Sequence, residues 1–464
     1  MNEMPNNLTI VAMKAALASN QVSPTELTKA HLNRITAVDG KLRAFVHVLS
    51  DQAMEDAKSL EAISDWKQLP LGGIPVTIKD SLDLAGLPTW AGSKLRAGHM
   101  ATADSAVAAR LSAAGAIILG KTNCPELLMN YETDNFITGR TANPWNLERS
   151  AGGSSGGEAA AIASFCSAGG VGSDAGGSIR VPAHFCGIAG LKPTNGRISA
   201  AGHFPECIHP GGMLGVVGPM ARTAADVKLL YDVLAGHDDN DPFSAPVPNI
   251  AADLGGLRVG IWEQFYEVPV LNSVQQAVRN AGEALASAGI AVCGFSPKGM
   301  ERAPNLWNFF FAGLSEPFLR KMYEGVAAQP HWTFQEFWGA EGPQFTASDV
   351  VERMGQRDHL RASFLEQMRE VPVLISPVMS VPAFRPRERE WTVNGKKIKL
   401  FHSTMCTTPI NLFGFPAMVI PYGFAEDGMP IGIQIVGKPW QEPLILAVAM
   451  LLEQLRGPFP VCPL

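Results

Sequence analysis

Two rhythms of apolar and polar positions run along the chain. Over the first sixty residues the spacing is helical. Ser23 precedes Pro24, and Glu26 follows three residues after the serine, combining a capping box with proline at the first helical position. This predicts a helix to about Ala37 that ends near Asp39 and Gly40. "LRAFVHVL" then reads as a strand and "DQAMEDAKSLEAI" as a second helix. "IPVTIKD" is β-branched, apolar and bounded by glycines, which predicts a buried strand with Lys79 at its end. "SAVAARLSAAG" predicts a helix ending at Gly115, and "AIILGKT" a short strand. This strand–helix–strand order implies an α/β core with partly parallel pairing. Alanine-rich helices are expected again at 156–166 and 222–235. "MPIGIQIVG" reads as a strand, and a closing helix is expected at about 443–455.

Between about 296 and 345 the pattern changes. "NLWNFFFAGLSEPF" and "HWTFQEFWGAEGPQF" concentrate aromatic residues. A helical, partly independent subregion is expected there, either as ordinary core or as the wall of a substrate pocket. No internal repeat or low-complexity linker divides the chain. The expectation is one domain over 1–464, with an N-terminal helical segment at about 1–65 and a variable, aromatic-rich, helical substrate-pocket subregion at about 296–400.

Composition narrows the function classes. Apolar residues make up 46% of the 464 residues, enough for a large core. The formal net charge is −6 with Lys and Arg scattered, which points away from nucleic acid and from a basic membrane face. Seven cysteines, an odd number with no CxxC pair, argue against a zinc ribbon or disulfide framework and fit a reducing compartment. The N-terminus lacks the pattern of a secretory leader, and no apolar run approaches the roughly 18 residues of a membrane span. These features predict a soluble, cytoplasmic protein.

The candidate chemistry begins at "SAGGSSGGEAAAIASF", Ser150–Phe165. It runs straight into a helix, so it is not a linker. A phosphate loop would place Lys and Ser/Thr after its last glycine, whereas Glu158 stands there. What remains is a tight turn holding Ser154 and Ser155 before a helix. A second glycine-rich segment, "GSDAGGSIRVPAHF", places Ser178 after Gly176 and Gly177. Backbone N–H groups in such a turn can converge on a developing oxyanion. A serine nucleophile needs a base. His184, His203 and His209 are nearest in sequence, without a recognisable triad spacing. Lys79 is the other candidate, because burial away from water favours the neutral amine. Its plain alternative is a salt bridge to Asp80 or Asp83.

These segments together resemble the amidase signature family. The resemblance rests on "AGGSSGGEAAAIASFCSAGGVGSDAGGSIRVPAHFCGIAGLKPTNGRIS", with "PVTIKD", "GKTNCPEL", "TANPWN", "GPMARTAADV" and the C-terminal "NLFGFPAMVIPYG" and "PIGIQIVG". It spans about 65 to 240 and resumes near 405. "GGSSGGE" and "CGIAGLKPT" look most like fatty-acid-amide-hydrolase-type and general bacterial amidases.

The resemblance implies an α/β fold in which helices cover both faces of a large mixed, twisted sheet. It implies Ser178 as nucleophile, Ser154 as bridging serine with a cis peptide bond to Gly153, and Lys79 as base. It implies an oxyanion hole from the N–H groups of Ala175, Gly176, Gly177 and Ser178, and supporting roles for Ser155, Asp174 and Arg180. Leu128 and Met129 should border the acyl pocket. No metal or organic cofactor is implied. The expected function is a stand-alone hydrolase of a small, fairly apolar amide, anilide or carbamate. The alternative is the glutaminase subunit of a tRNA-dependent amidotransferase, which needs a partner. Homodimer formation, common among the proteins it resembles, stays open.

Overall fold

The computed structural model describes residues 5–209, 212–326, 329–337 and 345–464. The first four residues of the expected N-terminal helical segment, and residues 327–328 and 338–344 of the aromatic-rich stretch, lie outside the described residues.

Eleven strands form one sheet. They are β1 (Phe45–Val48), β2 (Pro75–Lys79), β3 (Ile117–Thr122), β4 (Gly169–Asp174), β5 (Ala189–Lys192), β6 (Val216–Ala221), β7 (Arg258–Ile261), β8 (Ala291–Gly294), β9 (Val373–Pro377), β10 (Ala417–Phe424) and β11 (Pro430–Gly437). Their order across the sheet is β1-β3-β2-β4-β6-β5-β10-β11-β9-β7-β8. β2 is parallel to β3 and β4, and β7 is parallel to β8 and β9. The other neighbours are antiparallel, so the sheet is mixed.

Strand alternation sorts the side chains between two cores. Val76 and Ile78 of β2, Met418 and Ile420 of β10, and Ile431, Ile433 and Ile435 of β11 enter one core. The helices Ile10–Ala18, Ala106–Ala113, Ala224–Leu234, Asn272–Ser287 and Glu442–Arg456 cover it. Ala159–Ala163 and Val181–Cys186 belong to a second core, with side chains of the helix Pro24–Leu42. Helices thus lie on both faces. Thr77 and Lys79 of β2 alternate with Val76 and Ile78, so they point away from the first core, toward helix Gly156–Ala163.

The capping box predicted at Ser23 is present, with both reciprocal hydrogen bonds to Glu26. The helix continues past Gly40 to Leu42, because Val38 and Leu42 are buried and their burial offsets the cost of about 1 kcal/mol for a helical glycine. The aromatic-rich span is helical at Ala303–Asn308, Ser315–Tyr323, Trp332–Gln335 and Ala347–Gln367. The boundaries 296–400 also take in β9, a strand of the central sheet, and the hairpin Glu390–Val393 with Lys396–Lys399. No helix among the described residues is long and apolar enough to cross a membrane.

Candidate active site

β2 ends on Lys79, whose side chain is fully buried. Helix Gly156–Ala163 starts beside it because glycines let the chain approach closely. A Cβ on Gly157 would meet Asn123 N at 2.4 Å, and one on Gly153 would meet Asn130 O at 2.5 Å. The turn before this helix carries Ser154 and Ser155, and the Gly153–Ser154 peptide is cis, as the resemblance implies.

Lys79 Nζ lies 2.7 Å from Ser154 Oγ, 3.0 Å from Ser155 Oγ and 3.0 Å from Ser173 Oγ. Burial pulls its ammonium down to about 8. The alternative salt bridge is not formed. Asp80 pairs instead with Lys121 of β3, at 3.0 Å, and no ion pair among the described residues joins Asp83 to Lys79. Ser173, the third hydroxyl on Lys79, was not singled out from sequence. Its only signal is its place in β4, one residue before the Asp174-to-Ser178 turn.

The second loop is held by Asp174. Its carboxylate accepts from Gly177 N–H (2.7 Å), Ile179 N–H (3.1 Å), and Arg180 Nε and Nη2 (3.0 Å each). Burial pushes the Asp174 carboxyl up, but the Arg180 guanidinium, with Lys192 and Asn411, brings it well below the usual carboxylate range. Arg180 also donates to Thr407 O, Gln434 and Asn411. Sequence reading missed Asn411 and Gln434, which lie more than 200 residues away from Arg180 and tie this loop to the helix Thr408–Phe413 and to β11.

Gly177 N–H is therefore spent on Asp174. Among the described residues, no hydrogen bond takes the N–H of Ala175, Gly176 or Ser178. Ser154 and Ser178 open onto one cavity of about 440 Å³, with Leu128 and Met129 in its wall. Leu127 and Leu128 both have left-handed backbone (φ 50° and 64°), which turns the chain along this wall. No hydrogen bond joins Ser154 Oγ to Ser178 Oγ among those of the described residues.

The histidines do not assemble with the serines. His184 is fully buried, its Nδ1 accepts from Gly432 N–H (2.7 Å) and its Nε2 meets Val381 O. His203 lines the cavity, with its Nδ1 donating to Pro205 O at 2.7 Å. His209 packs against Phe243.

A family model described as Amidase matches residues 26–446. Among curated relatives, the glutamyl-tRNA(Gln) amidotransferase A subunit of Chloroflexus aurantiacus is 36% identical over 482 residues, 97% of each chain. Among solved structures, one reported as an unexpected vestigial protein complex that reveals the evolutionary origins of an s-triazine catabolic enzyme is 28% identical. It has a TM-score of 0.87 and covers 96% of this chain and 98% of its own. The 6-aminohexanoate cyclic dimer hydrolase complexed with substrate is 29% identical, with a TM-score of 0.86 and 97% of each chain covered.

Proposed function

The chain belongs to the amidase family, and on that footing we propose that it cleaves the C–N bond of a carboxamide through an acyl-enzyme on Ser178. The observation that carries this reading is a buried lysine, Lys79, among hydroxyls rather than carboxylates, with Ser154 at 2.7 Å and Ser178 on the same cavity.

Neutral Lys79 has two N–H donors and one lone pair. Ser155 gives its hydrogen to Ser173 O (3.2 Å), so its oxygen is left to accept from Nζ–H. The lone pair is then available to Ser154 O–H. Ser154 passes its proton to Lys79 and takes one from Ser178, whose Oγ bonds to the carbonyl carbon. Catalytic hydrogen bonds often tighten only in the bound complex, which is where the Ser154–Ser178 link closes. The N–H groups of Gly176 and Ser178, with Ala175 beside them, meet the oxyanion. Protons return through Ser154 to the leaving nitrogen, the C–N bond breaks, and water hydrolyses the resulting ester by the same relay.

For the choice of amide, the amidotransferase reading has more support than the stand-alone one. The curated relative belongs to such an enzyme, and the likeness covers nearly all of both chains. On this reading the amide is that of glutamine, and the ammonia passes to a partner protein. One observation favours the stand-alone hydrolase of a small apolar amide, anilide or carbamate. Phe311, Leu314, Phe318, Leu319 and Met322 form an apolar cavity wall. Seven unpaired cysteines support a reducing, cytoplasmic setting.

The test is a panel of L-glutamine, short and long acyl anilides, an aryl carbamate and an ester, with wild type and Ser178→Ala, alone and with cell extract. Ser178-dependent glutamine hydrolysis that needs the extract supports the amidotransferase reading. Ser178-dependent release from anilide or carbamate by the protein alone supports the stand-alone hydrolase. Turnover unchanged in Ser178→Ala overturns both.

A further inference from the structure

Each peptide unit between Ala175 and Ser178 has its carbonyl oxygen held by a different group. Trp307 Nε1–H donates to Ala175 O (2.8 Å), Tyr131 Oη–H to Gly176 O (2.7 Å) and Val181 N–H to Gly177 O (2.6 Å). These peptides are trans, and in a trans unit C=O and N–H point in opposite directions. Holding the oxygen therefore aims the N–H. The Ala175 carbonyl belongs to the unit that carries Gly176 N–H, one of the loop donors without an internal partner.

Trp307 is almost fully buried in helix Ala303–Asn308, within the aromatic-rich span. Its ring lies so close to the loop that a Cβ on Gly176 would meet Cζ2 at 2.3 Å, so this contact needs glycine. The other side of the indole is tied to the cavity. Trp307 stacks on Phe311, with centroids 4.7 Å apart and planes 13° apart, and Phe311 lines the cavity.

We propose that Trp307 is a positioning residue for the oxyanion hole, aiming the Gly176 N–H through its hydrogen bond to Ala175 O, and that Phe311 links this aim to what fills the cavity. The inference rests on the acyl-enzyme reading of Ser178. It places a determinant of rate inside the aromatic-rich span, one of whose expected roles is to wall the substrate pocket.

The test needs no knowledge of the amide. A small alkyl fluorophosphonate phosphonylates an activated serine. Ser178 Oγ bonds to phosphorus, fluoride leaves, and the serine proton enters the relay. Labelling rates are followed by intact mass for wild type, for Trp307→Phe, and for a protein with the benzothiophene isostere at position 307, which keeps the bicyclic shape without the N–H. The thiono analogue, with P=S for P=O, is run in parallel, since it is a poorer acceptor. Both variants should label Ser178 about 10- to 100-fold more slowly than wild type. Their P=O to P=S rate ratio should fall, while the pH midpoint of labelling stays at the wild-type value.

Wild-type rates and an unchanged ratio in both variants overturn this inference alone. Slow labelling with a lowered Tm and an unchanged ratio also overturns it, because that is the signature of a packing role. If wild type is not labelled at Ser178, the acyl-enzyme reading fails and this inference fails with it.

Discussion

Lys79 Nζ lies 2.7 Å from Ser154 Oγ, and among the described residues no carboxylate forms an ion pair with that amine. Burial lowers its ammonium to about 8, so below that pH the neutral fraction grows tenfold per unit. Activity should follow it. The expected profile of kcat/KM rises with unit slope from pH 5.5 to about 7.5 and levels off above about 9. Measurement with any substrate found in the panel checks this, and a flat profile over the range would remove Lys79 as base. The linkage has the same sign. The folded value is depressed, so the unfolded chain holds more protons between about 8 and the ordinary lysine value, and stability rises with pH in that window.

Lys121 shows what a buried lysine does when it has a carboxylate. It sits on β3, the neighbour of β2, and pairs with Asp80 at 3.0 Å, both side chains fully buried. Removing one partner of such a pair leaves an uncompensated charge, at a cost of about 3–5 kcal/mol. Asp80→Asn should lower the urea-unfolding free energy by that amount, while the folded fraction still labels at Ser178. A loss within experimental error would mean the pair is not formed in solution.

Local patterns in the sequence predicted much of this arrangement. The β-branched, apolar run "IPVTIKD", bounded by glycines, foretold a buried strand ending on Lys79, and the capping box foretold the start of helix Pro24–Leu42. What escaped depends on partners distant in the chain. Asp80 and Lys121 become neighbours only when β2 and β3 pair in parallel, with a register shift between Val76 and Thr77. The helical expectation for 296–400 takes in β9 because a five-residue apolar run carries no period of its own. In the sequence, Glu158 is legible only as an obstacle to phosphate. In the fold it is fully buried, held by Thr77 of β2 and Thr122 of β3, and burial raises its carboxyl to about 7. Nothing in "GGSSGGE" indicates those two threonines, which belong to other strands.

Asp174 supplies a prediction at acid pH. Its folded carboxyl lies below the ordinary value near 4, so its contribution is present above about pH 4 and is lost as pH falls through the lower folded value. Asp174→Asn leaves Arg180 buried without its anion, and stability at pH 7 should drop by about 3–5 kcal/mol. The variant's unfolding free energy should also vary less between pH 4 and 2 than that of wild type. Urea titrations at pH 7, 4 and 2.5 test both statements. Equal acid slopes in the two proteins would remove Asp174 as the source.

Leu314 separates the two readings of the substrate. It is half-buried in the cavity wall, away from the serines' own loops, so a change there alters the lining without touching the relay. If an apolar acyl group lies against this wall, Leu314→Asn forfeits part of the roughly 1.5–3 kcal/mol that a fully buried leucine contact is worth. A loss of about 1 kcal/mol is about fivefold, and it should appear in kcat/KM for a hexanoyl anilide but hardly in that for an acetyl anilide. Glutamine has no long alkyl chain to place there, so its hydrolysis should change less than twofold. A fivefold drop on the long anilide alone would favour the stand-alone hydrolase. Equal values for wild type and variant on both anilides, with glutamine the better substrate, would mean that this wall does not hold the acyl group and would strengthen the amidotransferase reading.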